Sequence, residues 1–309
     1  MSDKYLGLDL GGTNIKFVVI EKDAEKWNVL LRDQISTEAI NGPEHVTQRL
    51  ADLAAKISKE HGIKGLGLAV PGIFDVDLGT ILLFPNLPGA WRGFQIRQPI
   101  ADASQVSVGL INDARAFSLA ESVMGAARGH STVACIVMGT GVGGGVVIDG
   151  KVHLGATKGA GEIAHQIVNP DGPMCGCGSQ GCVEAMTSSE AIAKLAGVKT
   201  PEEAYERAIA GDKQAIHSFE EAGKWIGIAM ANVMAILSPD VFVLGGGVSQ
   251  SGDLITKYAL AEAKRRSNLF EGEVFKIVPA QLGVYAGAIG AALNGAAVSG
   301  DKLSRISTT

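Results

Sequence analysis

Short apolar runs, each stopped by glycine or by a polar pair, alternate along this chain with stretches of helical periodicity. Residues 5–10 and 15–20 read as strands on either side of Gly11-Gly12-Thr13, a turn that joins them as a hairpin, and residues 28–35 continue as a third strand. A helix opens near Pro43, a favoured first-turn proline, with Val46, Leu50, Leu53, Ala54 and Ile57 on one face. Residues 66–70 form a buried strand ended by Pro71-Gly72, and residues 106–111 form another that ends at Asn112-Asp113, with a helix over 116–124.

The opening pattern then returns. Residues 132–138 read as a strand, residues 139–144 as a glycine-threonine turn, and residues 145–148 as a second strand before the tight turn Asp149-Gly150. Helices are predicted over 189–195, 201–210 and 213–237. A strand over 241–244 runs into Gly245-Gly246-Gly247 and a helix over 254–266, followed by a strand near 274–278 and a helix near 285–297. The polar segment 299–309 reads as frayed. Two halves that each open with a glycine-turn hairpin predict an α/β protein of two domains facing one another, with the glycine turns at the cleft between them.

Composition sharpens this picture. The 309 residues, 46% hydrophobic and 19% charged, suffice for two globular domains. A net charge of −5 argues against a nucleic-acid partner. No window holds about 18 uninterrupted apolar residues, so no membrane span is expected; residues 225–237 are too short and contain Asn232. Without a leader-like N-terminus a cytoplasmic protein is expected. Glycine is in excess, at 41 residues, with 13 of them between positions 139 and 181. That density among strand-like runs points to backbone brought very close to something.

At the turns, that something is read as phosphate. Phosphate oxygens need backbone N–H donors at contact distance, which side chains would block, and a threonine hydroxyl adds a donor. Asp9, at the end of the first strand, is placed to hold a hydrated Mg²⁺ that neutralises the phosphates. Neither turn is a Walker loop, because no Gly-Lys-Ser/Thr follows.

Cys175, Cys177 and Cys182 crowd into eight residues downstream of His165. A bridge between Cys175 and Cys177 would be badly strained, and three thiols cannot all pair. Three thiolates and an imidazole are instead a closed tetrahedral set for a structural zinc ion. Glu162 and Glu184 flank these ligands, and carboxylates grip the vicinal hydroxyls of a polyol.

The run from Leu8 to Lys16 (LDLGGTNIK), the run from Gly139 to Gly144 (GTGVGG) and the segment from Pro239-Asp240 to Gly245-Gly246-Gly247 resemble, in order, the phosphate and nucleoside motifs of sugar kinases in the actin–hexokinase superfamily. The chain resembles most sharply the ROK family of bacterial sugar kinases and repressors, over roughly residues 5–297. The resemblance implies two RNase H-like (actin/hexokinase-type) domains around a central cleft. These would be a small domain over 1–112, on which a helix near 285–300 packs back, and a larger one over 113–284 carrying a zinc loop at 165–182. It implies ATP with Mg²⁺ held by Asp9, Gly11, Gly12, Thr13, Lys16, Gly139, Thr140, Gly141, Gly245, Gly246 and Gly247. It makes Asp113 the catalytic base, although Asn-Asp after a strand is by itself more often a helix cap. It implies that Asn86, Asn112, Asp113, Glu162, His165 and Glu184 contact the sugar, and that His165, Cys175, Cys177 and Cys182 hold the structural Zn²⁺.

The activity implied is phosphorylation of a hexose at its 6-hydroxyl, glucose first. N-acetylglucosamine, N-acetylmannosamine, mannose, fructose and allose remain open as acceptors, and polyphosphate as donor. A sugar-sensing regulator is the rival reading. The first motif begins at Tyr5, which leaves no room ahead of it for a DNA-reading module. A homodimer is expected by analogy with relatives. The chain departs from the family at Arg115 and Phe117, where small residues are usual and the sugar pocket could be reshaped. It departs again at Ala164, where glycine is usual and a positive φ would strain alanine.

Overall fold

The computed structural model describes residues 2–24, 26–84, 87–269 and 275–303. Two compact units emerge, one taking in residues up to Gly129 and from Leu282 onward, the other His130–Gln281.

In the first unit the opening hairpin is β1 (Asp3–Leu10) and β2 (Asn14–Asp23), extended by β3 (Lys26–Ser36). Helix α1 (Gly42–His61) leads to β4 (Gly65–Val70), then to a small ribbon of β5 (Ile73–Asp75) and β6 (Thr80–Leu83). Helix α2 (Arg97–Ser104), β7 (Ser107–Asn112) and α3 (Asp113–Val123) follow. The sheet order is β3-β2-β1-β4-β7, antiparallel through the hairpin and parallel from β1 onward.

The second unit repeats that plan. Strands β8 (Thr132–Met138), β9 (Val142–Ile148) and β10 (Lys151–Val152) form its antiparallel part. Four helices intervene: α4 (Val183–Thr187), α5 (Ser189–Ala196), α6 (Pro201–Ile209) and α7 (Lys213–Leu237). Strand β11 (Val241–Gly245), helix α8 (Asp253–Arg266) and strand β12 (Ile277–Pro279) complete the order β10-β9-β8-β11-β12, again parallel from β8 onward. Helix α9 (Ala286–Val298) then returns to the first unit.

Side chains alternate across a strand, so Leu6 and Leu8 of β1 share a core with Val46, Leu50 and Ile57 of α1, while Gly7 faces the other way. On that other face α9 lies almost on the backbone. A Cβ on Gly7 would stand 1.9 Å from the Ala288 carbonyl, and one on Gly67 would stand 1.7 Å from that of Ala291. Helix α3 meets α9 as closely, since a Cβ on Gly290 would lie 1.7 Å from the Ala116 carbonyl. Much of the glycine excess therefore serves helix-to-sheet contact.

This packing moves the expected boundary. The sequence placed residues 113–129 with the larger domain, but α3 packs on α9 and stays in the first unit, so the division falls after Gly129. Strand β9 also begins three residues before the predicted 145, because Val142, Gly143 and Gly144 pair with Met138, Val137 and Ile136. Over residues 299–303 the expected fraying is corrected as well. The Tyr5 hydroxyl bonds to Asp301, Lys64 Nζ reaches the same carboxylate at 3.0 Å, and Lys22 Nζ donates to the Lys302 carbonyl at 2.8 Å. Val274, expected in the last strand, and residues 304–309 lie outside the described residues.

Candidate active site

The first glycine turn is closed by Gly11 N–H donating to the Asn14 carbonyl at 3.1 Å, and Gly12 and Thr13 are exposed. One residue before Leu10, Asp9 pairs across the hairpin with Lys16 and along the sheet with Ala69. It lies on the face covered by α9. Burial pushes its carboxyl up to about 7, the nearby Asp113 carboxylate adds to the rise, and Lys16 opposes it. Two acids and a cation thus gather beside the turn within one unit.

Asp113 is exposed at the first position of α3, its Oδ1 accepting from Ala114 N–H at 2.8 Å. Asn112 caps that helix. Its Oδ1 accepts from the N–H groups of Ala114 and Arg115, and its Nδ2 donates to the Gly72 carbonyl at 3.3 Å. The amide keeps one hydrogen with which to meet a ligand. Arg115 and Phe117 are both buried along α3. Asn86 lies outside the described residues.

In the second unit the glycine turn is only three residues long, with Gly139 N–H donating to the Gly141 carbonyl at 2.8 Å. Thr140 and Gly141 are exposed. Gly144 belongs to β9, where a Cβ would come within 2.8 Å of the Gly161 carbonyl. Gly246 has φ 85° and would place a Cβ 2.2 Å from the Met138 carbonyl, so β8 dictates that glycine, while Gly245 is the buried end of β11. Gly247 has open space around it. Elsewhere in this unit an open surface pocket of about 280 Å³ is lined by Tyr205 and Ile209 of α6 and by Ser251, Asp253, Leu254, Lys257 and Tyr258 at the start of α8, with Lys257 Nζ 5.3 Å above the Tyr258 ring. Sequence reading did not find this cavity, since its residues come from two separate helical faces without a shared motif.

His165 ends a short 3₁₀ turn (Ile163–His165) that follows the exposed Glu162. Its donor atom and those of Cys175, Cys177 and Cys182 all lie within 4.8 Å of one another. Cys177 Sγ is 3.7 Å from Cys182 Sγ, and Cys175 Sγ is 3.7 Å from His165 Nδ1. A tetrahedral ion with bonds of ~2.3 Å requires edges of ~3.7 Å, so the four residues fit zinc. Burial and the neighbouring thiols push Cys182 up to about 12, burial raises Cys175, and the Ser179 backbone N–H draws Cys177 down to about 7. Ala164 is buried in the 3₁₀ turn and is not among the residues of positive φ, so its methyl brings no backbone strain.

Glu184, at the start of α4, links the two features of this unit. Its Oε2 accepts from Val142 N–H beside the glycine turn at 3.3 Å, and its Oε1 lies 3.9 Å from Cys175 Sγ. Spacing in the sequence gave no sign of that double role.

The ROK family profile matches residues 5–294. The chain belongs to the ROK family. It is 33% identical to the glucokinase of Thermotoga maritima over 82% of this chain and 84% of that one. The ROK hexokinase of Thermus thermophilus is 34% identical and superimposes with a TM-score of 0.87, covering 97% of this chain and all (100%) of that one. A ROK glucokinase from Streptomyces griseus in complex with glucose and AMPPNP is 31% identical, with a TM-score of 0.77 over 94% of this chain and 99% of the other. The α/β fold of this ROK protein is thus of the actin–hexokinase type, and the repeated five-stranded sheets are its RNase H-like signature.

Proposed function

We propose that this protein is an ATP-dependent hexose kinase that phosphorylates the 6-hydroxyl of glucose. The observation that carries the reading is that the parallel strands β1, β4 and β7 end side by side, which sets Asp9 next to the Gly11–Thr13 turn and Asp113 just past the end of β7 at the same edge of the sheet. Phosphoryl transfer to an alcohol needs both a carboxylate near the phosphates and a second that accepts the hydroxyl proton. Asp113, exposed at a rigid helix start, takes the O6 proton as O6 attacks the γ-phosphorus. The bond from that phosphorus to the ADP oxygen breaks, and glucose 6-phosphate, ADP and a proton result.

Asp9, with Lys16 opposite it across the hairpin, would hold a hydrated Mg²⁺ that offsets the phosphate charge. Gly11, Gly12 and Thr13, together with Gly139, Thr140 and Gly141, offer backbone and hydroxyl donors to the phosphates. Asn112, Glu162, His165 and Glu184 accept from and donate to sugar hydroxyls. His165, Cys175, Cys177 and Cys182 would hold a structural zinc ion, which would fix the loop that bears these groups.

The relatives support this reading: the Thermotoga protein is named a glucokinase, and the Streptomyces structure contains glucose and AMPPNP, an ATP isostere. A coupled assay of ADP release over a panel of hexoses tests it. Glucose should give the highest kcat/KM with ATP and Mg²⁺, and no turnover of any hexose would overturn the proposal.

A further inference from the structure

The segment that follows β3 reaches back to the first glycine turn. Thr37, fully buried, donates its N–H to the Thr13 carbonyl at 2.8 Å and its hydroxyl to the Gly11 carbonyl at 2.7 Å. A trans peptide points its C=O and its N–H in opposite directions. Fixing the Gly11 carbonyl toward Thr37 therefore aims the Gly12 N–H away from it, on the exposed side of the turn. The hydroxyl decides that orientation. Without it the Gly11–Gly12 peptide is free to rotate, because neither glycine resists a change of φ.

Thr37 is itself held from both sides by α1. Arg49 donates Nε and one Nη to the Ser36 carbonyl at 3.1 and 2.9 Å, and its other Nη meets the Glu38 carboxylate at 2.9 Å. Glu38 has φ 55°, an unusual conformation for a glutamate, and His45 Nε2 lies 2.8 Å from its carboxylate. The bend at residues 36–38 is thus fixed by side chains about one and two turns along a helix.

We infer that Thr37, clamped by Arg49, is a positioning residue that aims the Gly12 N–H at the nucleotide phosphates. The inference rests on the proposed reading of the Gly11–Thr13 turn as a phosphate site. Thr37→Val keeps the shape and the backbone bond but removes the hydroxyl, whereas Thr37→Ser keeps the hydroxyl. Loss of one buried hydrogen bond corresponds to about a fivefold to tenfold effect. Thr37→Val should raise the KM for ATP by about that factor and leave the KM for glucose within about twofold, and Thr37→Ser should restore the ATP value. A general loosening of the fold would shift both constants together. Should Thr37→Val fail to fold, Arg49→Gln should give a smaller rise in the same constant alone.

Direct titration with ATP separates the two readings. A wild-type protein that turns over no hexose, yet binds ATP in a manner weakened by Thr37→Val, leaves the brace standing and removes the kinase. An active wild type whose KM for ATP is unmoved by Thr37→Val, or moves together with that for glucose, overturns the brace and leaves the kinase.

Discussion

The carboxylate of Asp9 stands where a side chain on Gly287 would have to be: a Cβ on that glycine would lie 2.5 Å from Asp9 Oδ2. Gly287 is in the first turn of α9, and nothing in the alanine-glycine run of that helix marks it as different from its neighbours. Gly287→Ala must push the Asp9 carboxylate aside or shift α9. A displacement of about 1 Å at a catalytic group costs on the order of 100-fold. The expected outcome is a fall in kcat of that order with the glucose affinity retained, measured by steady-state kinetics and equilibrium sugar binding.

Asp113→Asn removes the proton acceptor but keeps the start of α3, whose cap is Asn112. Turnover should fall by about 10²–10⁴-fold. Glucose binding, followed by calorimetry, should persist. Full activity in this variant would dismiss Asp113 as the base.

Asp9 gives the protein an inverted pH response. Burial pushes its carboxyl up to about 7, well above the usual carboxylate range, so the folded state binds the proton more tightly. Ionised Asp9 therefore destabilises the ligand-free protein, fully above pH 7 and progressively less toward pH 4. Melting temperatures should rise for this reason as pH falls from 8 to 6 (on the order of one pKa width either side of 7). Asp9→Asn should be more stable than wild type at the upper end and should flatten the slope. Mg²⁺-dependent turnover should move the opposite way, declining as Asp9 is protonated. A wild-type slope identical to that of Asp9→Asn would refute the assignment.

Metal analysis should find about one zinc per chain. Cys177 is the exposed member of the cluster, so Cys177→Ser should fold while losing the ion. Because Glu184 touches both Cys175 and the second glycine turn, glucose affinity should weaken as well, by about 10–100-fold as for other supports of a metal site. A metal-free wild type with full affinity would exclude the cluster from this role.

The parts of this architecture that the sequence disclosed are those encoded by local chemistry. The strand pairs around Gly11-Gly12-Thr13 and the long α7 have periodic apolar positions, and the Cys/His spacing admits few meanings other than a metal. What stayed hidden depends on partners distant in the chain. Gly143 and Gly144 read as turn residues, yet they are strand residues, and Gly144 is required because Gly161 passes so close. Gly246, expected beside the nucleotide, also lies against the Met138 backbone, a contact that no local pattern encodes. Thr37 carries no motif at all, because its significance lies in two carbonyl groups more than twenty residues earlier in the chain.

Helix α9 gives the molecule a definite order of assembly. Strands β1 and β4 are made early during synthesis, but the face that bears Gly7 and Gly67 has no cover until residues 286–298 emerge from the ribosome. The second unit, His130–Gln281, contains its own sheet and helices and is finished first. The Asp9 carboxylate thus waits for α9 to be translated, so a nascent or truncated chain lacking α9 holds a completed second unit and a first unit whose sheet is covered on one face alone.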